Sequence, residues 1–102
     1  MSRAAVFAAL GDETRLAIVG RLCASGPQSI SRLTEGTDIT RQAVTKHLVA
    51  LAGAGLVRSE KAGRERLWEL EPARLVEAGR YLAQISSQWD AAIERLRRFV
   101  ET

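Results

Sequence analysis

Apolar residues recur every seven positions along the last third of the chain, in two interleaved series. Leu75, Leu82, Trp89 and Leu96 form one; Ala78, Ile85, Ala92 and Phe99 form the other, three places on. This spacing puts both series on one side of an α-helix, as an a/d seam over about four heptads. Ile93 and Val100 widen it. Pro72 can open the helix, and up to Glu101 only Gly79 disturbs the pattern. At 1.5 Å per residue, a helix over 73–101 is roughly 45 Å long. The chain, at 102 residues, reads as one domain over 1–102, and the core of such a domain cannot cover the whole stripe. A second copy of the same chain is the simplest cover. The alternative, a stripe packed only on its own domain, leaves a large apolar patch in water.

The rest of the chain is cut into short pieces. Val6, Phe7 and Leu10 fall at helical spacing within 3–10, and Gly11 ends that helix. Asp12 caps a second helix, with Glu13 in its first turn. Leu16, Ile18, Val19 and Leu22 supply its apolar positions, and Cys23 reads as a buried helix thiol. Ala24-Ser25-Gly26-Pro27 is a stop. Ser29 caps a third helix, from Ile30 to about Glu35, with Ile30 and Leu33 facing in. Gly36-Thr37-Asp38 makes a tight turn, Ile39 an apolar anchor and Thr40 the next cap. In the fourth helix Ala43, Val44, Leu48 and Leu51 form one face. Arg41, Gln42, Thr45 and Lys46 form the other, which carries no acid. Two short helices joined by such a turn, here over 29–51, make a helix-turn-helix. Gly55 suits the left-handed position after the fourth helix, with Leu56 making the accompanying apolar contact.

From Leu56 the period becomes two. Residues 56–61 and 64–70 read as strands joined at Ala62-Gly63, so 56–70 forms a hairpin with Lys61, Gly63 and Arg64 at its tip. The expected order is α-α-α-α-β-β-α, a mainly α chain with a small β-hairpin.

Net charge is only +3, but residues 39–68 hold six basic groups and two acids. Positive charge concentrated next to an acid-free helix face is the electrostatic footprint of a phosphate-binding surface. A hairpin with edge charges that discourage aggregation is the plainer reading of Lys61 and Glu60. Other classes find little support. There is no apolar run near the ~20 residues needed to cross a bilayer, and no signal-peptide pattern, so no membrane partner and a cytoplasmic location are expected. A single cysteine excludes an internal disulfide. No Gly-rich phosphate loop or paired carboxylates appear, and the one histidine, His47, lies beside the core position Leu48, a poor place for a general base. No catalytic residue, no cofactor and no enzyme are expected.

Phe7 to Leu16, Thr40 to Leu48, and Ala54-Gly55-Leu56-Val57 together resemble the ArsR/SmtB family of winged-helix bacterial repressors. The resemblance covers nearly the whole chain. It implies a winged helix-turn-helix, with the hairpin as the wing, and a homodimer built from the first and last helices. Val6, Phe7, Leu75, Leu82, Ile85, Trp89, Leu96 and Phe99 fall at its interface. It implies DNA contacts by Thr40, Arg41, Gln42, Thr45, Lys46 and His47 in the recognition helix and by Lys61, Gly63 and Arg64 in the wing. The family's metal sensors carry Cys-x-Cys in the third helix or His and acids along the last. Here the third helix has no thiol, and the last has Asp90 and Glu94 but no His. Zinc-like and heavier metals need those thiolate and imidazole ligands, so no metal site is expected. Asp38 stands where relatives usually have Gly, and Thr37 where they have an apolar residue.

The expected function is therefore a sequence-specific transcriptional repressor that binds an inverted-repeat double-stranded DNA operator as a homodimer. The alternative is a winged-helix protein-interaction module pairing through its C-terminal helix, which calls for apolar anchors on the recognition face; this chain offers Arg, Gln, Thr and Lys there. A small organic effector of unknown identity near Trp89 is a second reading of that side chain, a plain core Trp being the first.

Overall fold

Side-chain caps set the helix starts. In the computed structural model, which describes residues 2–101, four helices each begin on a hydroxyl or carboxylate that accepts a first-turn amide. Ser2 accepts from the Ala5 N–H and Asp12 from the Arg15 N–H; Ser29 accepts from Arg32 and Thr40 from Ala43. These start α1 (Arg3–Leu10), α2 (Glu13–Ser25), α3 (Ile30–Thr34) and α4 (Arg41–Gly53). The strands β1 (Gln28–Ser29), β2 (Val57–Ala62) and β3 (Glu65–Leu70) and the helix α5 (Pro72–Glu101) complete the chain. Met1 and Thr102, the ends of the expected domain, lie outside the described residues.

The end of α4 is fixed as firmly as its start. Gly55 has φ 76°. Leu56 N–H donates to the Leu51 carbonyl at 3.0 Å and Gly55 N–H to that of Ala52 at 2.9 Å. That is the Schellman pair of bonds, and its apolar contact is supplied by Leu51 and Leu56, both fully buried. The same turn hands the chain from the helix to β2.

The sheet has one strand more than the hairpin expected from sequence. Its order is β1-β3-β2, antiparallel throughout, with Gln28 opposite Trp68 and Ser29 opposite Leu67. Two residues carry no readable period, so β1 left no alternation to find. It matters because Ser29 is both the end of β1 and the cap of α3, which fixes the helix-turn-helix against the sheet. The hairpin turn also sits one residue later than expected. Ala62 pairs with Glu65, leaving Gly63-Arg64 as the loop. Gly63 has φ 65° while Arg64 does not have positive φ, the pattern of a type II′ turn.

Val44, Leu48, Leu51 and Leu56 form the centre of the core, with Ile18, Val19 and Leu22 from α2, Leu33 from α3 and Trp68 from β3 around them. Arg21 ties α2 to α3 by donating to the carbonyls of Leu33 and Arg32 at 2.6 and 2.7 Å, at the carbonyl end of α3. Leu16 and Cys23 are exposed, contrary to the sequence reading. They lie one heptad apart, off the side of α2 that Ile18, Val19 and Leu22 bury.

Val6 is also reassigned. It is buried in the protomer's own core, facing Ala78 at the start of α5, instead of waiting for a partner. Leu75 is half-buried against the same core, and Phe7 packs on Tyr81 with ring centroids 6.1 Å apart. The first turns of α5 thus satisfy the domain. Beyond Tyr81 the stripe is in solvent: Leu82 is 53% exposed and Trp89 67%. The molecule measures 68 Å along its long axis and 26 × 21 Å across.

Candidate nucleic-acid interface

The outer face of α4 is built as its periodicity predicts. Arg41, Gln42 and Lys46 are exposed, Thr45 is partly so, and the four border one open depression. Thr40 sits at the head of this face with its oxygen engaged by the Ala43 N–H. Thr45 donates its hydroxyl proton to the Arg41 carbonyl at 2.8 Å. With that donor spent within the helix, Thr45 keeps its methyl group and oxygen lone pairs for any outside contact.

His47 turns the other way. Its Nδ1 lies 3.9 Å from the Asp12 carboxylate and its side chain is largely buried between α4 and the start of α2. The distance is too long for a hydrogen bond, but the two charges interact when the imidazole is protonated. The carboxyl of Asp12 is held below its ordinary range, chiefly by the Arg15 N–H bond and then by the charges of Arg15 and His47. A depressed carboxylate pKa contributes stability above the unfolded value and loses it as pH falls through the folded one. Asp12→Asn keeps an acceptor for Arg15 but no charge. Its melting temperature is expected to lie below that of the wild type near neutral pH, and the gap to close in acid. A gap that stays constant across the titration assigns the effect to cap geometry instead.

The wing brings Lys61, Gly63 and Arg64 to one exposed tip. Arg58, further down β2, is not available: it pairs with Glu69 at 2.8 Å and Glu71 at 3.1 Å. The hydrogen bond to Glu69 and the two acid charges raise its pKa further. Arg66, not among the DNA contacts expected from sequence, lies beside the helix-turn-helix in a groove of about 270 Å³ shared with Ser31, Arg41, Arg64 and Glu65. Only the pairing of β3 with β1 brings it there. Among the described residues no three His, Cys, Asp or Glu side chains converge as metal ligands, and no helix is long and apolar enough to cross a membrane.

The family described as a helix-turn-helix domain matches residues 10–60. An ArsR-like transcriptional regulator from Rhodococcus sp. RHA1 superposes with a TM-score of 0.80 at 40% identity, over 95% of this chain and 91% of that one. The chain belongs to the ArsR-like helix-turn-helix regulators. This is a family of transcriptional regulators, a non-enzymatic role. The HTH-type transcriptional regulator Rv2034 of Mycobacterium tuberculosis is 43% identical over 66% of this chain and 62% of its own length. The arsenical resistance operon repressor of Bacillus subtilis is 34% identical over 63% of this chain and 61% of its own. The chain thus spans about three fifths of the length of these two curated relatives.

Proposed function

We propose that the chain is a dimeric repressor that reads an inverted-repeat DNA operator and acts by occupying a promoter in the cytoplasm, without the metal sites of the family's sensors. One observation carries this reading: an acid-free outer face of Arg41, Gln42, Thr45 and Lys46, which form one open depression, meets the wing at a groove shared by Arg41 and Arg64. In this reading the working unit is 1–102, with 29–51 as the helix-turn-helix, 56–70 as the wing and 73–101 as the dimerisation helix. Gln42 makes a bidentate contact with an adenine edge and Thr45 meets a thymine methyl. Lys46, Lys61 and Arg64 neutralise phosphates, and the main-chain N–H of Gly63 faces the backbone. His47, turned to Asp12, supports the helix from behind.

The apolar stripe from Leu82 to Val100 supports the dimer. Leu82, Ile85, Trp89, Leu96 and Phe99 form the interface with Phe7 at its edge, while Val6 and much of Leu75 serve the protomer core. Two-fold symmetry then sets half-sites about 34 Å apart, one helical turn of DNA.

Sequencing the fragments this protein retains from a genomic pool, with random competitor present, tests the function. Enrichment of a pseudo-palindrome is expected; recovery without any shared sequence refutes it. Gln42→Ala is expected to lose roughly 1–3 kcal/mol of discrimination at one base step, read by gel shift against single-base operator variants. Equal weakening on operator and random DNA makes Gln42 something other than a base reader.

A further inference from the structure

Several basic side chains on this surface are neutralised by acids. Arg58 binds Glu69 and Glu71, Arg74 binds Glu77, and Arg97 and Arg98 flank Glu94. The groove between the helix-turn-helix and the wing is different, because three arginines line it together. Arg41 donates to the Ser31 hydroxyl at 2.7 Å, and Arg66 to the Ser59 hydroxyl at 2.9 Å. Both guanidinium groups are thus held in place by neutral partners, and among the described residues neither meets a carboxylate at ion-pair distance. Arg64 reaches the same groove from the hairpin turn. Glu65 lines it too and offsets one of the three positive charges. Oriented but unneutralised guanidinium groups repel one another, and an anion between them removes the repulsion. Their planar forks match phosphate oxygens.

We propose that Arg41, Arg64 and Arg66 jointly seat one phosphodiester of the DNA strand, with Ser31 and Ser59 as the posts that aim the first and last of them. The proposal rests on the DNA-binding reading above and deepens it. It makes Arg41 a backbone contact and gives Arg66 a role. The clamp locks the wing and recognition helix onto the same backbone segment, so it sets how deep α4 sits in the groove and leaves base choice to Gln42 and Thr45.

The test uses the full chain and a fluorescein-labelled duplex of arbitrary sequence, titrated across a salt series, with Arg66→Ala, Arg41→Ala, their double variant and Arg66→Lys. Each alanine variant is expected to weaken binding on the order of tenfold, equally on the arbitrary duplex and on a selected operator. Because both side chains hold one phosphate, the double variant is expected to bind about as weakly as either single one. Arg66→Lys, which keeps the charge but not the fork, falls between wild type and Arg66→Ala. Wild-type affinity in Arg66→Ala overturns the clamp, as does a double variant that loses the full product of the two single effects, since that places the side chains on separate phosphates. Failure of the wild type to bind any duplex at low salt overturns the DNA reading itself, and the clamp with it. Unchanged melting temperatures separate these losses from misfolding, since both arginines are exposed.

Discussion

Replacing Leu82 and Trp89 together with glutamate is expected to leave the chain folded and monomeric. Both side chains are more than half exposed in the protomer, so the substitutions remove nothing from its core. In a dimer each would be buried, and a large apolar side chain contributes up to about 3 kcal/mol on burial. Two positions on two chains make the loss several orders of magnitude in the dimer dissociation constant, and the new carboxylates face one another across the two-fold axis. Sedimentation equilibrium reads the change directly. Operator affinity is expected to fall at least about a thousandfold with it, because each chain then holds a single half-site. Glutamate variants that remain dimeric move the interface away from α5.

Leu48→Ala is expected to cost roughly 2–5 kcal/mol of folding stability. Domains of this kind have only about 5–15 kcal/mol in total. Leu48 is 0% exposed and lies directly behind the face that carries Thr45 and Lys46. Truncating it opens a cavity beneath the recognition helix at the point where α2, α4 and β2 meet. Urea denaturation at fixed protein concentration measures the loss, the fixed concentration being needed because association adds to apparent stability. Val49→Ala is the control: the next residue on the same helix is 59% exposed, and its change is expected within about 0.5 kcal/mol. Equal effects at the two positions contradict the burial of Leu48.

Features set by local chemistry could be read from the sequence, and features set by distant contacts could not. Asp12, Ser29 and Thr40 cap helices because a short oxygen-bearing side chain reaches its own first turn, and Gly55 ends α4 because only glycine takes its left-handed conformation without strain. The outward face of α4 followed from the period of 3.6. By contrast, periodicity says that a side chain is buried, not against what. Val6 has the spacing of an interface residue and belongs to the protomer core. Leu16 and Cys23 are apolar positions of α2, yet they lie off its buried side. Arg58 and Arg66 sit on adjacent strands, yet one is neutralised by Glu69 and Glu71 and the other is held by Ser59. Those partners lie 7 to 13 residues away in sequence, and only strand register selects them. His47 shares a helix with the basic face but is drawn to Asp12, a partner that a one-dimensional pattern does not show.

The far half of α5 has an apolar side and, within one protomer, little to place against it. Its consequence in a cell concerns dose. If the chains pair and repress as proposed, then below the dissociation constant of the pair the amount of assembled protein grows as the square of the number of chains, and promoter occupancy responds more steeply to synthesis and dilution than it does for a reader that works alone.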